Sequence, residues 1–146
     1  MIELRNISRV YHDGVAGVTA LRDVSLRIEE GEFVAIMGHS GSGKSTLLNI
    51  LGFLDKPDSG KYYLYGNDIT SLSDDELSIL RNHMAGFVFQ QFNLLPRMSA
   101  MENVKLPLVY GGKHDHGSAE RRLADVGLSH RMNHHPAEMS GGEQQR

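Results

Sequence analysis

The sequence predicts an α/β fold, and the order of its apolar patterns along the chain carries this prediction. Patterns typical of strands dominate the first part of the 146 residues. Patterns with helical spacing dominate the second half. A glycine-rich segment at residues 38–46 lies between a continuous apolar run and residues with helical spacing. Strands and helices arranged in this order are typical of the α/β class.

The strand predictions rest on two kinds of apolar pattern. Alternation predicts a half-buried strand in residues 21–28, and a weaker pattern predicts an extended segment over residues 2–10. Residues 14–17 are predicted to form a loop between these two segments. The continuous apolar run at residues 33–37 predicts a strand that is buried on both faces. Shorter strands are predicted at residues 61–65 and 86–89.

Helix starts are marked by serine and glutamate at the spacing of a capping box, in which the side chain of each residue bonds to the backbone N–H of the other. Ser73 with Glu76 and Ser99 with Glu102 have this spacing, so we predict that a helix begins after each serine. Pro107 should stop the second of these helices after about two turns. Apolar spacing predicts two more helices, one through residues 47–54 and one from Ser118 to a C-cap at Gly127.

The composition excludes several classes of protein. The chain is 40% hydrophobic and 23% charged, which is a globular composition. The 15 basic and 18 acidic residues form no basic block, so no nucleic-acid partner is expected. The absence of cysteine excludes disulfides and thiolate metal sites. No apolar run approaches the roughly 20 residues of a membrane-spanning helix. The polar connections contain His114, His116, His134 and His135, which are interpreted as solvated rather than metal-binding.

The glycine-rich segment has the composition of a loop that binds phosphate groups. It consists of Gly38, His39, Ser40, Gly41, Ser42, Gly43, Lys44, Ser45 and Thr46. Its glycines allow successive backbone N–H groups to turn toward one anion, and the following helix directs its partial positive charge to the same place. Lys44 can reach the β- and γ-phosphates, and the Ser45 hydroxyl can bind Mg²⁺. The alternative interpretation is a flexible Gly/Ser connection.

Three further segments resemble one family. Residues 140–146, Ser-Gly-Gly-Glu-Gln-Gln-Arg, resemble the signature motif of ABC ATPases, with Met139 and Glu143 where leucine and glutamine are usual. Residues 86–96 resemble the family's Q-loop, and residues 51–60 resemble the segment that follows its phosphate loop. Together they are most similar to the lipoprotein-release and macrolide-export branch of that family. The resemblance covers the whole chain.

The resemblance implies roles for individual residues. Tyr11 would stack on adenine, with a core tyrosine as the alternative. Gln90 would contact Mg²⁺ or its water, with Gln91 or a solvated amide as the alternatives, and the loop after Gln90 would face a membrane permease. The signature residues would contact the γ-phosphate held by the opposite protomer, with a plain N-cap as the alternative. These residues are Ser140, Gly141, Gly142 and Glu143.

The resemblance also implies a fold and a domain organisation. It implies an ABC-type phosphate-loop fold with a mixed sheet around the phosphate-loop helix, an antiparallel β subdomain and a helical subdomain. A β-rich nucleotide-binding core is expected in residues 1–90, and the helical subdomain in residues 91–146. The family continues after the signature motif with strands that bear a catalytic Asp-Glu pair, and these strands are missing here. We therefore expect residues 33–37 and 86–89 to lack neighbouring strands, and we assign no catalytic base.

The function implied is binding of ATP and Mg²⁺. The complete protein is expected to hydrolyse ATP as a homodimer and to power an export or lipoprotein-extraction permease. A non-hydrolysing nucleotide-binding module and a cell-division relative are the alternatives. Residues 1–5 contain no basic patch followed by an apolar stretch, so no secretory signal is expected. The expected location is cytoplasmic, at the inner face of the cytoplasmic membrane through the permease. The transported substrate is not readable from these residues.

Overall fold

The chain divides into two compact units, which are described separately. A computed structural model describes residues 1–13 and 16–146. The first unit is Met1–Ala85 and the second is Gly86–Arg146. The domain boundary that the sequence analysis places after residue 90 stays a prediction.

The first unit contains a four-stranded antiparallel sheet with the order β2-β1-β3-β4. Its strands are β1 (Ile2–Asp13), β2 (Ala16–Ile28), β3 (Ser59–Leu64) and β4 (Asn67–Asp68). The loop predicted at residues 14–17 is partly wrong. Gly14 and Val15 lie outside the described residues, but Ala16 and Gly17 belong to β2 and pair with Asp13 and His12.

The core of the first unit packs the sheet against helices α1 (Lys44–Leu51) and α2 (Asp74–Met84). Leu4 and Ile7 of β1 are fully buried, as is Ile50 of α1. The Phe53 ring, which follows α1, stacks on the Tyr62 ring of β3 with centroids 5.7 Å apart. Burial of these apolar side chains therefore fixes α1 on the sheet.

The strands predicted at residues 33–37 and 86–89 do not form. Within the described part of the chain, no strand pairs with either segment, as expected from the family resemblance. A strand is stabilised by the ladder hydrogen bonds of its neighbours, so an apolar run without a partner does not become one. Phe33, Met37 and Val88 are consequently 95%, 89% and 88% exposed.

The second unit is helical. It contains α3 (Ala100–Tyr110), α4 (Ser118–Asp125), α5 (Gly141–Gln145) and two short 3₁₀ helices, Ser129–Arg131 and Pro136–Glu138. Four buried residues form its core: Ala100, Leu123, Leu128 and Met139. None of the helices in residues 1–13 and 16–146 is long and apolar enough to cross a membrane.

The prediction that Pro107 stops α3 is wrong, since the helix continues to Tyr110. Proline inside a helix removes one N–H donor, and its ring crowds the carbonyl four residues earlier, which can bend a helix without ending it. The Pro107 side chain is exposed, and its carbonyl accepts the Gly111 N–H at 3.0 Å. One missing donor at the solvent face is therefore not enough to end the helix.

The predicted capping boxes are confirmed at both helix starts. Ser73 and Glu76 form the two reciprocal hydrogen bonds at α2, and Ser99 and Glu102 form them at α3. At α4 the acceptor comes from outside the helix, since Asp115 accepts the Ser118 N–H at 2.7 Å. Each of these helices therefore begins with a carboxylate of the same chain at its positive end.

Candidate functional site

The phosphate loop predicted at residues 38–46 lies in the first unit, where residues 38–43 precede α1 and residues 44–46 form its first turn. Gly41 and Gly43 have φ angles of 79° and 86°, in the left-handed region that favours glycine. A side chain at Gly43 would collide with the Ala20 carbonyl oxygen and the Leu21 side chain of β2. The end of the loop is therefore pressed against β2, and only glycine fits there.

The ammonium group of Lys44 lies across the loop. Its Nζ donates to the Gly38 carbonyl at 2.8 Å and to the His39 carbonyl at 2.6 Å. These partners are neutral, and none of the ion pairs among the described residues involves Lys44. The positive charge of Lys44 is therefore held in place by backbone oxygens and stays available to an anion.

Helix α1 begins differently from the helices that carry capping boxes. Its N-cap is Gly43, which makes no side-chain cap, and its first turn contains no acidic residue. The N–H groups of the first turn of a helix have no partner within the helix and carry its partial positive charge. The Ser45 side chain is exposed in this turn, whereas Thr46 is buried. The loop, the lysine and the helix start thus form one cationic site.

His39 makes a hydrogen bond within the loop. Its Nδ1 lies 2.8 Å from the Ser40 carbonyl oxygen, which can only accept, so Nδ1 carries a proton and donates it. This donor is therefore used by the loop itself, and we assign His39 no catalytic role; its place among the phosphate-binding residues stays a prediction.

Tyr11 lies near the end of β1, where the residue is 37% exposed. Its hydroxyl donates to Asp55 at 2.7 Å, and the Arg9 guanidinium lies 4.9 Å from the ring centroid. Arg9 also pairs with Asp55 at 2.8 Å and with Asp58 at 2.6 Å. Tyr11 is therefore a restrained surface ring and not a core residue.

Sequence reasoning missed Arg9, Asp55 and Asp58. Two signals for them were present. Arg9 precedes Tyr11 by two residues, which places both side chains on one face of a strand. Both aspartates belong to residues 51–60, the segment that resembles the family.

The predicted Q-loop residues belong to the second unit. Gln90 and Gln91 are both exposed, and the structure favours neither over the other. The loop after them is attached to α3 by Asn103, whose side chain accepts the Leu95 N–H at 2.8 Å and donates to the Met98 carbonyl at 3.1 Å. Asn103 is a further residue that sequence reasoning missed, and it gives this exposed loop a defined shape.

The signature residues begin α5 in the second unit. Ser140 and Glu143 form another capping box, in which Glu143 Oε2 accepts the Ser140 N–H at 2.7 Å. Glu143 Oε1 accepts from Arg131 Nε at 2.9 Å. The carboxylate that replaces the usual glutamine is thus turned back on its own helix start and paired with a cation. Arg131 explains how a negative charge is accommodated here.

These contacts predict that Glu143 stabilises the folded state at neutral pH and that this stabilisation is lost in acid. Hydrogen bonds from Ser140 and then from Arg131 lower the pKa of Glu143 from 4.5 to about 2. A carboxyl group with a depressed pKa stabilises the folded state above its unfolded pKa, and this stabilisation is lost as the pH falls through the folded value. Glu143→Gln should therefore lower the melting temperature at pH 7, and the difference from the wild type should shrink between pH 4.5 and pH 2. Thermal melts across this range measure it, and a difference that is independent of pH contradicts the prediction.

The glycine loop, the restrained lysine and the open helix start together have the features of a phosphate loop. The family model described as "ABC transporter" matches residues 21–146. The chain therefore belongs to the ABC transporter family.

Relatives and solved structures agree with this assignment. The chain is 56% identical to the macrolide export ATP-binding/permease protein MacB of Chlorobaculum tepidum, over 100% of the chain and 23% of that protein. It is 52% identical to the ABC transporter ATP-binding protein YknY of Bacillus subtilis, over 100% of the chain and 65% of that protein. The chain thus spans about a quarter of the first relative and less than two thirds of the second.

The fold is that of an ABC ATPase cassette. The dimeric structure of MJ0796, described as a bacterial ABC transporter cassette, matches with a TM-score of 0.88 and 45% identity, over 99% of this chain and 65% of that one. A post-hydrolysis state of MJ0796 bound to ADP and Pi also matches with a TM-score of 0.88, at 44% identity and with the same coverage. The predicted α/β fold class and the predicted family are confirmed.

Proposed function

We propose that residues 38–46 bind the phosphate groups of ATP and that Tyr11 stacks on its adenine base. The observation that carries the proposal is the Lys44 ammonium, held by the Gly38 and His39 carbonyls beside a helix start without a carboxylate. An anion at this place gains both the lysine charge and the backbone N–H groups of α1. Tyr11 belongs to the same unit and offers an exposed aromatic ring to a base.

The residues present fit a Mg²⁺ ion that is bound mainly by the nucleotide. Among the described residues, no group of three or more histidine, aspartate or glutamate side chains can hold a metal ion. Mg²⁺ commonly uses substrate phosphates and few protein ligands. The exposed hydroxyl of Ser45 in the first turn of α1 would supply one oxygen. The ion would neutralise phosphate charge.

The signature residues are proposed to act on the nucleotide of a second copy. Ser140, Gly141 and Gly142 would place the α5 start against the γ-phosphate held by the partner, and Glu143, tied to Arg131, would keep its charge away from it. The matched MJ0796 cassette is described as dimeric, which supports a two-fold arrangement. Neither protomer would then complete a site alone.

Transport is proposed from the relatives. MacB proteins are described as macrolide export ATP-binding/permease proteins, so we propose that ATP hydrolysis by the full-length protein drives an export or lipoprotein-extraction permease. The loop after Gln90, shaped by Asn103 and exposing Phe92 and Leu95, would contact that permease. This contact would hold the protein at the inner face of the cytoplasmic membrane.

Self-association tests the proposal that the signature residues act on the nucleotide of a second copy. With ATP and Mg²⁺, the full-length protein should dimerise, and its ATP hydrolysis per protomer should rise with protein concentration, because each site needs residues from two chains. Sedimentation velocity and a phosphate-release assay over the same concentrations measure both effects. Ser140→Ala should weaken dimerisation. The control is Ser129→Ala, which replaces an exposed serine outside the proposed site and should leave dimerisation unchanged. Constant specific activity in a protein that stays monomeric refutes the in-trans arrangement.

A further inference from the structure

The Tyr11 ring is restrained on two sides by a cluster that we call the Arg9 clasp, consisting of Arg9, Asp55 and Asp58. Arg9 holds Asp55 with two nitrogens, Nη2 at 2.8 Å and Nε at 3.1 Å, and holds Asp58 with the third at 2.6 Å. The guanidinium lies over the ring, and Asp55 accepts the ring hydroxyl. One face of the ring is thus covered by a cation, and its orientation is fixed.

The clasp connects Tyr11 to the helix that follows the phosphate loop. Both Leu54 and Asp55 donate their backbone N–H groups to the Asn49 carbonyl in the last turn of α1, at 2.8 Å and 3.3 Å. Asp58 accepts the Val10 N–H at 2.6 Å. This bond, followed by the Arg9 contact, holds the pKa of Asp58 below its usual range against the opposing effect of burial. The part of β1 that carries Tyr11 is therefore fastened to the end of α1.

A second attachment lies at the other end of α1. Gly43, its N-cap, is in close contact with Ala20 and Leu21 of β2, the strand that pairs with β1. The β1–β2 hairpin is therefore fixed to α1 at the start of the helix by Gly43 and beyond its end by the clasp. Two attachments of this kind set the position of the Tyr11 ring relative to the phosphate loop.

We propose that Arg9 is a positioning residue for the nucleotide base. By covering one face of the Tyr11 ring and fixing its plane through Asp55, Arg9 leaves the opposite face to stack on the base, at a set distance from the phosphates. Pre-ordering the ring lowers the entropy cost of binding, and the cation beside the ring is itself a favourable contact. This inference rests on the proposed function, in which residues 38–46 bind phosphate and Tyr11 contacts adenine.

A structural role for the clasp makes a different prediction. The side chains of Arg9 and Asp55 are only 23% and 19% exposed, so the ion pair also joins two segments of the first unit. If that were its whole effect, loss of Arg9 would disturb the phosphate loop and the ring together. A ligand that has phosphates but no base separates the two roles.

The experiment compares ATP with inorganic triphosphate, both with Mg²⁺, by isothermal titration calorimetry on the full-length protein. Arg9→Gln should weaken ATP binding roughly fivefold to tenfold and leave triphosphate binding within about twofold. Tyr11→Phe keeps the ring but loses the hydrogen bond to Asp55. It should lose less affinity for ATP than Arg9→Gln does and no affinity for triphosphate. Arg27→Gln, which breaks the exposed Arg27–Glu29 pair, is the matched control and should change neither affinity.

The outcomes separate the inference from the proposed function. Equal losses for ATP and triphosphate in Arg9→Gln, or no loss for either ligand, overturn the positioning role. Tyr11→Ala tests the base contact itself, and the proposed adenine role fails if this variant binds ATP as the wild type does. A wild-type protein that binds neither ligand refutes the proposed phosphate site. Thermal melts identify any variant whose fold is lost. Arg9→Lys then provides a milder change, which keeps the positive charge but loses the planar guanidinium with its several N–H donors.

Discussion

Lys44→Ala should weaken ATP binding by about 1.5–3 kcal/mol, the contribution of a hydrogen bond to a charged group, which corresponds to about 10- to 150-fold in affinity. The lysine ammonium is restrained by the Gly38 and His39 carbonyls, so the substitution removes both a charge and the contact that closes the loop. Isothermal titration calorimetry with ATP and Mg²⁺ measures the effect.

The matched control for this prediction is Lys61→Ala. Lys61 is an exposed lysine of β3 in the same unit, and it pairs with Asp68 at 2.9 Å. It lies outside the proposed site, so its loss should leave ATP affinity unchanged. A Lys44→Ala protein that melts like the wild type and binds ATP equally well contradicts the phosphate-loop assignment.

Gly43→Ala should destabilise the protein by about 2–5 kcal/mol. About 1–2 kcal/mol comes from a left-handed backbone at a residue with a side chain, and about 1–3 kcal/mol comes from forcing a methyl group into an occupied space. That space is filled by the Ala20 carbonyl and the Leu21 side chain. Urea unfolding without nucleotide, followed by circular dichroism, measures the change.

Gly41→Ala provides the comparison for Gly43→Ala. Gly41 has a similar φ of 79°, but a methyl group there would meet nothing within 4 Å. Its substitution should cost only the backbone strain of about 1–2 kcal/mol. Equal unfolding midpoints for the two variants would show that the contact between the loop and β2 does not constrain the protein.

Features set by neighbouring residues could be predicted from the sequence. The capping boxes at Ser73 and Ser99 are confirmed, because both partners lie within one helical turn. The phosphate loop was predicted for the same reason, since its glycines and Lys44 lie next to one another in the sequence. An apolar run such as residues 33–37 is different, because its conformation depends on a strand elsewhere in the protein.

The residues around the site were harder to predict for the same physical reason. Arg9 contacts Asp55 and Asp58 across 46 and 49 residues, and only the fold brings them together. Arg131 reaches Glu143 across 12 residues through a turn that no local pattern indicates. Pairs of opposite charge are common in any chain, so the sequence alone does not show which of them meet.

The open start of α1 has a consequence for the selection of ligands. The protein contains 18 acidic residues, and at the other α-helices of the described ranges a carboxylate of the same chain lies at the start. Such a tethered carboxylate has a high effective concentration, so it acts as an internal competitor against any dissolved anion. At α1 there is no competitor. An anion in solution therefore meets no tethered carboxylate at the start of α1, whereas at α2 and α3 it would have to displace one.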